Sequence, residues 1–236
     1  TAELKPISTS GTLTIGSGSG TGGLTVDAGG LDLTSSTVTG PIALLQSGTG
    51  GITVTGTLMT PSNLTLTGGV ISDNNTITTT NGGTLTFANA GTLTIAGDIV
   101  SDGLVQQTGV GAVTITAPRS ITTTGDAVSF LSAVTLNGGA ATVTIDTTTG
   151  TGNAVGQNIT FTGTVNANTA NTESLSLNAG TAGLISAGAI GGGKALGTLT
   201  VTNSGGASFN AVSAANVVIS DTTATKTVDF AGNLTV

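Results

Sequence analysis

Apolar residues recur along the chain as pairs separated by a single, mostly hydroxyl, residue. Val113-Thr-Ile115 and Val134-Thr-Leu136 are the clearest example, one triplet 21 positions after the other. Alternation with period two puts the apolar pair on one face of an extended strand and the Thr on the other. The same unit begins at Leu13, Leu24, Leu31, Ile52, Leu64, Leu85, Leu93, Val143, Ile159, Leu175, Leu199, Val217, Val228 and Leu234. Leu31 to Ile52 and Leu64 to Leu85 also span 21 positions, and shorter gaps lie between other triplets. A coil of about 20 residues carrying two or three short strands accounts for both intervals.

Between the triplets lies turn chemistry. Pro41 and Pro61 sit in Thr-Gly-Pro and Thr-Pro-Ser segments, where they break no central ladder. Gly16 to Gly23 reads as a flexible loop, and Gly188 to Gly197 as a Gly-rich corner. Asn74, Asn75 and Asn81 suggest a side-chain amide ladder at one stacked turn. Thr1 to Ser10 reads as a lead-in strand.

Two all-β architectures compete, a sandwich and a solenoid. A sandwich needs antiparallel strands of about five or six residues joined by hairpins. Short strands at loose spacing favour the parallel β-solenoid, whose coils stack in register and line up like residues in columns. Such a solenoid is expected to have roughly 11 or 12 coils and a length on the order of 55 Å. Small residues are expected to suit its interior, and Thr to form outward columns. No shift of composition divides the chain, so residues 1–236 read as one continuous repeat domain. Thr1 and the terminal Leu234-Thr-Val236 suggest a piece of a longer chain.

Composition sharpens this picture. Gly makes up 39 of the 236 residues, charged residues only 6%, and hydrophobic residues 37%. Low charge with this much apolar content argues against disorder, and the scarcity of Glu, Lys, Arg and Gln argues against long helices. The net charge of −7 leaves only Lys5, Arg119, Lys194 and Lys226 to meet a phosphate backbone. Nucleic acid and anionic membranes are therefore poor partners. No run of 18 apolar residues is present, so no helical membrane insertion is expected.

The chemistry available is sparse. With no His and no Cys, and 11 carboxylates scattered singly, there is no candidate catalytic, cofactor-binding or metal-binding residue set. Asp27 and Asp32, and Asp98 and Asp102, read as turn caps. Calcium is the one cofactor the residue types could serve, because it needs only oxygen ligands, yet neither the nonapeptide calcium repeat nor the helix-flanked calcium loop occurs. The Asn-x-Ser/Thr matches at Asn63, Asn74, Asn158 and Asn233 are expected by chance in a Thr-rich chain. The Gly-rich stretches at Gly16 and Gly191 lack the Lys-Ser/Thr and the helix of a phosphate loop. The five Phe read as core rather than as sugar platforms.

Ser120-Ile-Thr-Thr-Thr-Gly125, Val134-Thr-Leu136-Asn-Gly, Ile159-Thr-Phe161-Thr-Gly-Thr-Val165, Glu173-Ser-Leu175-Ser-Leu177-Asn-Ala-Gly180 and Gly188 to Val201 resemble repeats of filamentous-haemagglutinin-like, β-strand-repeat bacterial surface exoproteins. That resemblance covers residues 110–236 and, more loosely, the rest. It implies a right-handed β-helix, secretion, and an adhesive or fibre-forming role, with no catalytic residues to transfer. The expected function is thus an extracellular structural one, a subunit of a fibre or surface layer that associates with itself. The alternatives are the stalk of a large adhesin and, more remotely, a polysaccharide-acting β-helix enzyme. No surface or glycan ligand is indicated.

Overall fold

The computed structural model describes residues 7–149 and 154–236. Lys5 and the start of the lead-in strand lie outside them. The described residues are all-β, without a helix, and they form a parallel β-solenoid of about 22 residues per turn. Two units make up the chain, Thr1–Gly111 and Ala112–Val236.

In the first unit each full turn carries three short strands. Ile42–Gln46, Ile52–Val54 and Leu58–Thr60 make one turn. Leu64–Gly68, Ile71–Asp73 and Ile77–Thr79 make the next, each paired in parallel with its counterpart. Leu85–Asn89, Leu93–Ile95 and Ile99–Ser101 repeat the pattern. The second unit also carries three strands per turn: Val113–Thr116, Arg119–Thr123 and Val128–Phe130 are followed by Val134–Asn137, Thr142–Asp146 and Ile159–Phe161. In its later turns the corners flatten, and Ala207–Ile219 runs as one strand past all three columns.

Every sequence-read triplet falls in a strand, except that Leu33 and Val236 lie just past the ends of theirs. Internal turns bury its apolar pair and turn the central hydroxyl outward, as in Leu64-Thr65-Leu66. Parallel in-register stacking then builds continuous apolar columns, such as Ile42, Leu64 and Leu85, each at most 1% exposed. Burial of these rows is the main stabilising term, at about 25 cal/mol per Å² removed from water.

Three expectations need correction. The turns number about nine rather than 11 or 12, because some carry loops. Leu13 pairs with Ile42, 29 positions on, and Val134 with Val165, 31 positions on. Next, the interior is not made of small residues. Leu, Ile, Val and Phe fill it, because stacked chains lie side by side along the axis. Phe130 stacks on its register partner Phe161 with ring centroids 5.6 Å apart and planes 9° from parallel. Phe209 and Phe230 form a second pair at 5.6 Å. Finally, the loop expected over Gly16 to Gly23 spans Gly18 to Gly23 and leaves out Gly16. Gly16 lies in the Leu13–Ser17 strand opposite Leu45 with φ of 108°, and a Cβ there would sit 2.1 Å from the Leu45 carbonyl oxygen.

Candidate interaction surface

Polar side chains in this molecule occupy three kinds of place. The first is the outward column. Ser129, Thr160, Ser186 and Ser208 are successive register partners on one side of the second unit, and Ser120, Thr144, Ser176 and Thr200 on another. They follow from period-two alternation alone, and the expected hydroxyl columns are present.

The second place is the inner face at strand ends, which sequence reading missed. Asp73, Thr79, Asn89, Ser101 and Gln107 all point inward and are at most 2% exposed. Burying a polar group is costly unless it is hydrogen-bonded, and here the corner backbone supplies partners. Thr79 and Ser101 hydroxyls lie 2.8 Å apart, and both donate to the Gly83 carbonyl. Asn89 Nδ2 donates to Gly91 O at 2.7 Å and Gly111 O at 3.0 Å, while its Oδ1 accepts from Gln107 Nε2 at 2.8 Å. No side-chain amide bond links Asn74, Asn75 and Asn81 into the expected ladder; the buried amide pair is Asn89 and Gln107. Asn75 and Asn81 instead each donate to a carbonyl of the preceding turn, Thr55 O at 3.0 Å and Pro61 O at 3.2 Å. The legible sign of these strands is an apolar residue followed two positions later by Asp, Thr, Ser or Gln, as in Ile71-Ser-Asp73.

The third place is the corner. Asp27 accepts the Gly29 N–H at 2.9 Å, and Asp32 accepts from the Thr34 hydroxyl at 2.7 Å and from its N–H at 2.9 Å. The Thr34 hydroxyl, then its N–H, hold the Asp32 carboxyl below the ordinary carboxylate range. Asp102 accepts the Gly82 N–H at 2.8 Å from the neighbouring turn. Asn63 and Asn158 play one role in the two units: each Oδ1 accepts an N–H of the next turn, from Thr84 at 3.0 Å and from Leu184 at 2.9 Å. At the Gly-rich corner, Gly193 and Lys194 N–H groups point at Asn166 Oδ1, at 2.8 and 3.3 Å. Those donors serve the fold.

Among the described residues no three Asp, Glu, His or Cys side chains gather where they could hold a metal ion. Glu173 is 1% exposed; its Oε2 accepts the Thr169 N–H at 2.9 Å and its Oε1 has no partner. The Asp27–Asp32 and Asp98–Asp102 pairs lie in the first unit, and Glu173 in the second. No known protein family, characterised protein or solved structure matches the chain.

The outermost turn of the second unit is an open edge. Val228–Phe230 and Leu234–Thr235 pair with Ala207–Ile219, and among the described residues with nothing on their other side. Leu234 continues the column of Val165, Ile190 and Val212, which are at most 2% exposed, yet it is 46% exposed itself. Phe230 stacks on Phe209 and is only partly covered. Val218 and Ile219 are also exposed. Among the described residues no helix is long and apolar enough to cross a membrane.

Proposed function

We propose that this chain is a structural extracellular protein, a subunit of a cell-surface fibre or surface layer held together by β-solenoid association. The observation that carries the reading is the outermost turn: two short strands with one paired side each, and an inward row, Val228, Phe230 and Leu234, that is left partly uncovered. An unpaired parallel edge is a template for another strand. A further turn from a second copy supplies strand partners and covers the row, and repetition of such a head-to-tail contact gives an open filament rather than a closed ring. The low charge and hydroxyl columns suit close packing of many copies. The likeness of residues 110–236 to bacterial β-strand-repeat exoproteins supports an exported, surface-bound setting.

The same edge serves a second reading, the stalk of a large adhesin, in which the covering turn belongs to the same polypeptide. Sizing the native polypeptide, together with electron microscopy of the isolated chain, separates the two. Thin fibres grown from this chain alone support the subunit. A much longer native polypeptide, with isolated chains that stay monodisperse at high concentration, supports the stalk.

A further inference from the structure

Two Asn-Gly steps occur in the sequence, Asn81-Gly82 and Asn137-Gly138, and the fold treats them differently. Asn137 closes the Val134–Asn137 strand, is half-buried, and its carbonyl accepts the Ala117 N–H. Asn81 and Gly82 form an exposed turn at a corner of the first unit, with φ of 57° and 72°. A Cβ on Gly82 would meet only the Asp102 carbonyl oxygen, at 4.0 Å, so the peptide has room to rotate. Three hydrogen bonds hold the turn, one of them from the Gly83 N–H to Thr80 O at 3.0 Å. Asn81 Nδ2 donates to Pro61 O at 3.2 Å, and the Gly82 N–H donates to Asp102 Oδ2 at 2.8 Å.

We infer that Asn81-Gly82 is a site of self-catalysed deamidation, and that Asp102 is the latch that sets its rate. In the reaction the Gly82 nitrogen attacks Asn81 Cγ and gives up its proton to solvent. A C–N bond forms, the Cγ–Nδ2 bond breaks, and the nitrogen leaves as ammonia. Water then opens the succinimide to aspartate or isoaspartate. The net change is one water in and one ammonia out, with no other reactant. Gly favours this step because no side chain blocks the approach of its nitrogen. While the Asp102 carboxylate holds the Gly82 N–H, the nitrogen stays turned away from Cγ. Once the step has occurred, Pro61 O loses its donor and a carboxylate takes that donor's place, so the corner loosens with age.

The test is peptide mapping of the whole chain, with isoaspartate detection, during prolonged incubation at mildly alkaline pH. The expected result is an NH-for-O mass change with isoaspartate at Asn81, while Asn137 stays intact over the same period. Asp102→Asn, which cannot hold the N–H as tightly, accelerates the change several-fold, with the strand signal in circular dichroism retained. Hydrogen exchange at Gly82 and Gly83 rises as isoaspartate accumulates. Equal rates at the two steps, or no change at Asn81, overturn the site. An unaltered rate in Asp102→Asn, and equally in Asp102→Ala, overturns the latch.

Discussion

Single polar residues fix the corners of this solenoid, and two of them lead to measurable consequences. The Asp32 carboxylate accepts two hydrogen bonds from Thr34, the hydroxyl being the stronger influence. Its folded pKa therefore lies below its unfolded value. The resulting stabilisation is complete above the unfolded pKa and is lost as pH falls through the folded one. Asp32 is largely exposed, so solvent screening keeps the effect small. Asp32→Asn is expected to leave stability near neutral pH slightly lower and to flatten its fall in acid, as read from denaturant midpoints at a series of pH values. Asn89 is a sharper case. Truncation to Ala strips partners from Gln107 Nε2 and from the Gly91 and Gly111 carbonyls at the inner corner. Gln107 Nε2 keeps its bond to Gly109 O, but each buried group left without a partner costs about 1–3 kcal/mol, so Asn89→Ala is expected to be among the most damaging polar substitutions. Chemical denaturation of the variant checks it, with outward Thr94→Ala as the nearly neutral control.

At the scale of strands, stability rests on columns rather than on individual strands, which are too short to persist alone. The aromatic column of the second unit illustrates this. Phe130, Phe161, Ala187, Phe209 and Phe230 are successive register partners, so Ala187 separates two stacked ring pairs. Phe161→Ala removes a ring that is 2% exposed and leaves Phe130 without its partner, at an expected loss of about 3–5 kcal/mol. Phe230→Ala, at the partly covered outer turn, is expected to cost clearly less, and thermal unfolding of the pair measures the contrast. Strands built on apolar-Thr-apolar triplets were legible in the sequence because both inward positions are apolar. Strands such as Ile77–Thr79, Ile99–Ser101 and Val105–Gln107 were not. Their second inward residue is polar, and only its hydrogen bonds to corner carbonyls make that placement tolerable.

For the whole molecule, the testable consequence of the proposed association lies at Leu234. A Lys there places a charge in the row that a second copy is proposed to cover. Leu234→Lys is expected to abolish concentration-dependent assembly in sedimentation velocity while leaving the strand signal in circular dichroism intact. Because the contact is apolar and backbone-mediated, added sodium chloride is expected to leave wild-type assembly largely unchanged, and sulfate to strengthen it. Assembly that survives the substitution, or dissolves in moderate salt, counts against this edge as the site of contact.

The sequence by itself determined that the chain is all-β, which residues face inward in the hydroxyl-centred triplets, and that the turns sit at Gly, Pro and Asn. Period-two alternation and local backbone preference suffice for those. Tertiary structure decided which turn lies on which. Register partners are as close as 18 positions, Leu199 to Val217, and as far apart as 32, Val143 to Leu175. Alternation fixes the face of a strand but carries no information about its neighbour. That choice is made only when whole turns stack, where loops of unequal length bulge out at corners and buried polar ends find partners in the turns beside them.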